Sequence, residues 1–153
     1  MKPFYSDTRS QTALKLAALE WLNTPFVPHA NVCGAGVDCV NLCAQIYIQT
    51  GFLKSFTPPK YVMDGGKHNT DSQLLEWIEI SGRFQLVQKS EPVQTGDLLC
   101  FKTGKSAHHT GLITNAPHFL HCLFNRKVTI STLSDRTFQR VLVAVYRPME
   151  VVA

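Results

Sequence analysis

The spacing of apolar residues changes once along the chain, at Gly82, and this change constrains the fold more than any other feature. Before Gly82, apolar residues recur at helical spacing; after it, short runs rich in β-branched and aromatic residues alternate with turn residues. Helices followed by strands are typical of an α+β fold with helices packed on a mostly antiparallel sheet. With 153 residues, the chain fits one domain, residues 1–153, and is too short for two.

Three helices are predicted before the change. The first covers Thr8 to Asn23 and is capped by Ser6 or Asp7, the second begins at Asp38 and ends at Gly51, and the third covers Asn69 to Ser81. The irregular stretch from Phe52 to Thr70 is interpreted either as the wall of a cleft or as an ordinary surface excursion.

Six short runs after Gly82 predict a sheet of about five to six strands. The runs are Phe84–Val87, Asp97–Phe101, Thr110–Thr114, His118–Cys122, Val128–Ser131 and Val141–Arg147.

Composition excludes several classes of protein. Apolar residues make up 44% and charged residues 17% of the chain, which is not the composition of a disordered tail. The net charge of +4 is spread along the chain, so no nucleic-acid-binding stripe is predicted. The longest aliphatic run, Val141 to Val145, is far below the ~18 residues that a membrane span needs. Met1 to Ser10 holds no apolar signal region, so we expect synthesis in the cytoplasm without an export signal.

Cys39 is the strongest candidate for chemistry. The sequence Gly34-Ala35-Gly36-Val37-Asp38-Cys39 places its thiol in the first turn of the second helix. There, the helix dipole and unpaired amide donors favour a thiolate and lower the thiol pKa, and the same amides can hold a developing oxyanion. The alternative is a packed core cysteine. The five cysteines are odd in number, so we expect reduced thiols.

Two histidines could activate this thiol. His109 adjoins the predicted strand Thr110–Thr114, and His121 lies in the next strand, so a hairpin turning at Asn115-Ala116-Pro117 would bring the two rings together. Nucleophile, base and orienting group would then be Cys39, His109 and His121. If the strand register slips by one residue, His108 takes the place of His109.

A zinc site is the competing interpretation of the cysteines. It would use Cys33, Cys39 and Cys43 with a histidine, but the spacing lacks the paired Cys-x2-Cys knuckles of structural sites. We therefore predict no metal and no cofactor. Cys43, Cys100 and Cys122 are predicted to be core thiols, and Cys33 an exposed one.

Taken together, five segments resemble the NlpC-type cell-wall cysteine endopeptidases, and the likeness extends from about Leu19 to Arg147. The segments are Trp21–Phe26, Val37–Leu42, Gly96–Leu98, His109–Ile113 and Phe119–His121. The Gly-x-Gly-Val-Asp-Cys approach and the terminal Tyr146-Arg147-Pro148 look most like the branch encoded with phage-tail and prophage genes.

The resemblance implies a papain-like fold in which Cys39 is the nucleophile, His109 the general base and His121 the group that orients it. It also implies that Asp38 helps to receive the free amino end of the substrate. The family's usual reaction cleaves the bond between D-glutamate and a diamino acid in peptidoglycan stem peptides, without a metal.

The chain departs from the family pattern near the nucleophile. Phe26 stands where the family usually has Tyr, and Val40-Asn41 stands where it has Ser-Gly. We predict that Asp38, Phe26, Val40 and His108 line the substrate site. Because two family hydroxyls are missing, two alternatives remain open: a catalytically weak or silent docking module that binds phage-tail proteins, or a related thioester-forming amidase or acyltransferase.

Overall fold

The computed structural model describes residues 2–57, 73–103 and 106–151, and within them it has an α+β architecture. Helices cover one face of a six-stranded antiparallel sheet, which confirms the predicted fold class. Most of the predicted cleft wall between Phe52 and Thr70 lies outside the described residues, as does the predicted start of the third helix at Asn69. In the described ranges, no helix combines the length and the apolar character needed to cross a bilayer.

The first two helices begin and end close to the predicted positions, and the third ends close to its predicted end. Helix α1 spans Thr8–Trp21, and the Asp7 carboxylate caps it by accepting a hydrogen bond from the Ser10 amide at 2.8 Å. Helix α2 spans Cys39–Gln49, and Gly51 follows it with φ +89°, a left-handed conformation that suits glycine. Helix α3 spans Gln73–Ile80.

Every neighbouring pair in the large sheet is antiparallel. The spatial order is β3-β8-β4-β5-β6-β7, and a small hairpin, β1-β2, lies just before α2. The strands are β1 (Asn31–Val32), β2 (Gly36–Val37), β3 (Phe84–Leu86), β4 (Leu98–Thr103), β5 (Ser106–Asn115), β6 (His118–His121), β7 (Thr129–Thr132) and β8 (Leu142–Pro148).

Strand β5 is longer than the sequence pattern predicts. It begins at Ser106 rather than Thr110, because β4 continues to Thr103 and pairs with it as far as the Thr103–Ser106 register. His109 therefore lies within the strand instead of directly before its first residue. The hairpin between β5 and β6 turns at Ala116-Pro117 as predicted, with Gly111 opposite His121.

A short helix that the sequence analysis did not predict precedes β8. Helix α4 spans Arg136–Val141, and the Asp135 carboxylate caps it by accepting from the Thr137 amide at 2.8 Å. Its Phe138 packs on Phe101 and Phe119, on the sheet face opposite the main helices. Val141, predicted as the first residue of the last strand, is instead the last residue of this helix because the Asp135 cap starts a helical turn here.

The main core lies between helices α1 to α3 and the sheet. Leu14, Ile46 and Leu112 are fully buried in it, and Leu74 and Ile78 of α3 join them, as the helical spacing predicts. This packing presses the first turn of α2 against β5, since both elements contribute to the same core.

An ion pair connects the loop that precedes β4 with strand β8. The buried Asp97 carboxylate accepts two hydrogen bonds of 2.9 Å from the Arg147 guanidinium and a third from the Gln94 amide. Gly96 next to it has φ +95°, and a Cβ there would collide with the Tyr5 ring. The Gly96-Asp97 turn therefore needs its glycine for both conformation and space.

Candidate active site

Cys39 is the first residue of α2, directly after its N-cap. The Asp38 carboxylate accepts hydrogen bonds from the backbone and side-chain amides of Asn41 at 2.9 and 3.0 Å, and from the His29 amide at 2.8 Å. Asp38 is buried, whereas Cys39 is partly accessible. The cap thus fixes the start of the helix and, with it, the position of the thiol.

Thr110 ties Cys39 to strand β5. Its hydroxyl donates to the Cys39 carbonyl at 2.9 Å, and the Cys43 thiol donates to the same hydroxyl at 3.6 Å. Because His109 precedes Thr110 in the strand, these bonds bring the predicted nucleophile to the strand that carries the predicted base.

The environment of Cys39 does not favour a thiolate, contrary to the sequence prediction. Burial raises the pKa of the Cys39 thiol to about 11, and the neighbouring Asp38 carboxylate raises it further, while hydrogen bonds from Thr110 and Val40 oppose the shift. The helix N-terminus does not lower the pKa, because the burial of the sulfur outweighs its effect and the Asp38 carboxylate adds a negative charge nearby. The thiol therefore holds its proton at neutral pH until a base removes it.

His109 and His121 lie side by side, as the hairpin predicts. His109 Nε2 is 3.0 Å from His121 Nδ1, and both rings are buried. His121 continues the contact through Nε2, which is 2.8 Å from the Ser131 hydroxyl of β7. The result is a hydrogen-bonded chain across three adjacent strands.

The His121 ring is enclosed by aromatic side chains. Its centroid is 4.7 Å from that of Phe119 and 5.3 Å from that of Phe138. Burial in these surroundings lowers the pKa of His121 to about 4. His121 is therefore neutral at physiological pH, as an orienting partner for a second imidazole must be.

The lowered pKa predicts that the free energy of unfolding falls as the pH drops from 6.5 towards 4. Between these values the unfolded chain binds a proton at His121 and the folded chain does not, so acid favours unfolding. The full difference corresponds to about 3 kcal/mol. Urea denaturation at pH 7 and pH 4 should show a smaller loss for His121→Gln than for wild type. The exposed His118→Gln is the control, and an equal loss in all three proteins would contradict the assignment.

Phe26 and Val40, both predicted to line the substrate site, lie near the start of α2. Phe26 pairs with Val37 just before Asp38, and its ring is 5.3 Å from that of the exposed Phe124. Val40 lines an apolar cavity of about 160 Å³, which Cys43 and Thr110 also line. The side chain of His108 lies outside the described part of the chain.

The remaining cysteines are placed as predicted. Cys33 is exposed, and Cys43, Cys100 and Cys122 are buried. Across residues 2–57, 73–103 and 106–151, no three His, Cys, Asp or Glu side chains come together as a set of metal ligands.

Two polar residues of the site escaped the sequence analysis. Thr110 adjoins His109 within a segment of the family resemblance, but nothing local distinguishes a threonine that binds a helix from one that fills a strand. Ser131 lies in a predicted strand, and its contact with His121 depends on the pairing of β6 with β7.

Comparison with known proteins gives a consistent result. The NlpC/P60 family model matches residues 24–147. A protein described as a probable endopeptidase of Haemophilus influenzae is 26% identical over 118 residues, which are 76% of this chain and 61% of the relative. The chain thus spans less than two thirds of that protein.

Solved structures share the fold at low identity. An NLP/P60-family protein similar to a lipoprotein, from Staphylococcus aureus, aligns with a TM-score of 0.67 and 20% identity, covering 97% of this chain and 44% of that one. RipD of Mycobacterium tuberculosis, described as a non-catalytic NlpC/p60 domain protein adapted to peptidoglycan binding, aligns with a TM-score of 0.58 and 13% identity over 94% of this chain and 100% of its own.

The family resemblance seen in the sequence is thereby confirmed, and its phage-tail branch stays a prediction. The matched segment, residues 24–147, runs from before strand β1 into strand β8. The chain therefore belongs to the NlpC/P60 family.

Proposed function

We propose that the chain is a cysteine peptidase that hydrolyses an amide bond in peptidoglycan stem peptides. The observation that carries the proposal is the Thr110 contact. Thr110 holds the Cys39 carbonyl at 2.9 Å, and the adjacent residue in its strand, His109, is hydrogen-bonded to the neutral His121 at 3.0 Å. Family membership and the endopeptidase description of the H. influenzae relative support the reaction class.

Because the pKa of the Cys39 thiol is raised, the thiol needs a base to remove its proton during attack, and His109 is that base. His109 Nε2 is hydrogen-bonded to His121, so His109 Nδ1 is the nitrogen that takes the thiol proton as the Cys39 sulfur adds to the substrate carbonyl. Backbone N–H groups at the start of α2 stabilise the oxyanion. His109 then protonates the leaving amine, and water, deprotonated by the same imidazole, hydrolyses the thioester.

The proposed bond is the one between D-glutamate and a diamino acid. The resemblance to NlpC-type endopeptidases supports it, with Asp38 receiving the free amino end of the stem. Each carboxylate oxygen can accept two hydrogen bonds, and Asp38 accepts three from Asn41 and His29, which leaves capacity for a substrate ammonium group. Phe26 and Val40 supply apolar contacts where relatives of the resembled type carry hydroxyls.

Mass spectrometry of digested peptidoglycan tests the proposal. Purified protein is incubated with intact sacculi and with isolated muropeptides, and a parallel digest contains an amine acceptor. New termini at D-glutamate and at the diamino acid are expected. Termini elsewhere would reject the proposed bond, and acyl-amine adducts would identify a transferase. Unchanged muropeptides would reject the peptidase.

A second candidate is a silent peptidoglycan-binding module on the same scaffold. The absence of hydroxyls at Phe26 and Val40 and the high pKa of the Cys39 thiol favour it. It predicts that the protein sediments with intact sacculi but releases no fragments from them. Release of fragments by wild type would exclude it.

We also propose that the protein is made in the cytoplasm and reaches the wall in association with phage-tail proteins. The support is the Gly-x-Gly-Val-Asp-Cys approach to the nucleophile and the terminal Tyr146-Arg147-Pro148. Immunodetection in purified phage particles from a strain carrying the gene is the test. Absence from particles, with normal expression in the cells, would reject this route.

A further inference from the structure

Ser131 stands at the far end of the hydrogen-bonded chain that begins at His109. It belongs to β7, two strands away from His109, and its hydroxyl lies 2.8 Å from His121 Nε2. Ser131 is partly buried and His121 is completely buried. Within the described residues, this hydroxyl is the hydrogen-bond partner of Nε2, and the remaining neighbours of the ring are largely aromatic.

Which ring nitrogens carry protons along this hydrogen-bonded chain decides whether His109 can act as a base. A neutral imidazole has one N–H donor and one acceptor nitrogen, so the two rings can be arranged in two opposite directions. In one, His109 Nε2–H donates to His121 Nδ1 and His121 Nε2–H donates outwards to Ser131. His109 Nδ1 then carries a lone pair. In the reverse direction His109 Nδ1 holds the proton and cannot accept one from Cys39.

We propose that Ser131 is a positioning residue that accepts the Nε2–H of His121 and thereby holds both imidazoles in the tautomers that catalysis requires. The inference rests on the proposed peptidase function. When His109 becomes an imidazolium, its Nε2–H must donate to His121 Nδ1, so His121 Nε2 must carry a proton. That proton points into a buried, aromatic site, where the Ser131 oxygen accepts it. Without the hydroxyl, the Nε2–H of His121 loses its hydrogen-bond acceptor, and the imidazolium form of His109 is less well stabilised.

Kinetics of matched variants on muropeptides test the role. Ser131→Ala is expected to lower kcat by about 10- to 100-fold with KM changed by less than about twofold, because the lost hydrogen bond acts on the protonated His109 and not on the substrate. Ser131→Thr keeps a hydroxyl and should recover most of the loss. The exposed Ser134→Ala makes the same chemical change three residues away and should match wild type. A wild-type kcat in Ser131→Ala would overturn the proposal.

A second measurement does not depend on turnover. Ring ¹⁵N chemical shifts at pH 7 report which nitrogen of His121 carries the proton. We expect the Nε2–H tautomer in wild type and Ser134→Ala, and a mixture shifted towards Nδ1–H in Ser131→Ala. An Nδ1–H tautomer in wild type, or an unchanged tautomer in a folded Ser131→Ala protein, would overturn the inference. If wild type cleaves no muropeptide, the proposed function fails, and the shifts still decide the role of Ser131.

Discussion

Cys39→Ala is expected to lower the rate of stem-peptide hydrolysis by about 10⁴-fold or more, the largest effect of any single substitution in this chain. The proposed thioester intermediate needs the sulfur, and the other cysteines near the start of α2 cannot replace it. Cys43 is buried and donates to Thr110, and Cys33 is exposed and donates to the Glu20 carbonyl at 3.2 Å. The measurement is the rate of fragment release from muropeptides.

The same substitution should leave the fold intact. Alanine retains the Cβ and suits the first turn of a helix, and the Asp38 cap and the Thr110 bond to the residue-39 carbonyl do not involve the sulfur. Cys33→Ala is the matched control and should keep wild-type activity. Hydrolysis by a well-folded Cys39→Ala protein at an unaltered rate would reject the cysteine mechanism.

His109→Ala should produce the second-largest loss, about 10²- to 10⁴-fold in kcat/KM. With its pKa raised to about 11, the Cys39 thiol is almost entirely protonated at pH 7, so attack depends on a base. In the proposed mechanism the imidazole also protonates the leaving amine, so its removal should disable both steps. Fragment release from muropeptides again measures the effect.

Alkylation of Cys39 by iodoacetamide gives an independent view of His109. At pH 7 the modification, located by peptide mass spectrometry, should slow markedly in His109→Ala because the thiol loses its proton acceptor. His118→Ala removes an exposed imidazole that is hydrogen-bonded to the Asn115 carbonyl, and this variant should be alkylated at the wild-type rate. Equal alkylation of wild type and His109→Ala would show that His109 does not activate the sulfur.

The fold could be predicted well where the determinants are local. The spacing of Leu14 and Trp21 identifies α1, and Asp7 marks its start, because both features act within one or two helical turns. Helix α4 was missed because its six residues bury none of their side chains completely and so have no strong apolar period. The extension of β5 to Ser106 was missed because it depends on pairing with β4.

In the candidate site, too, the features with local determinants could be predicted and those that depend on packing could not. The sequence identifies Cys39 from its place in the first turn of a predicted helix, and the pairing of His109 with His121 follows from a hairpin of 12 residues' separation. The direction of the Cys39 pKa shift is where the sequence prediction is wrong. A helix dipole can be read from sequence, but the burial of the sulfur and the effect of the Asp38 charge depend on what packs around them.

The order of the three main helices and of the six strands in the large sheet, and the identity of the three residues proposed for catalysis, follow from the sequence by itself, because caps, turns and apolar periods act over short stretches of chain. The tertiary structure alone decided how those residues are supported. Thr110 reaches Cys39 across 71 positions of sequence, and Ser131 reaches His121 only because β6 and β7 pair in one register. Hydrogen bonds and desolvation act through space, so residues distant in sequence set the proton positions on which the chemistry depends.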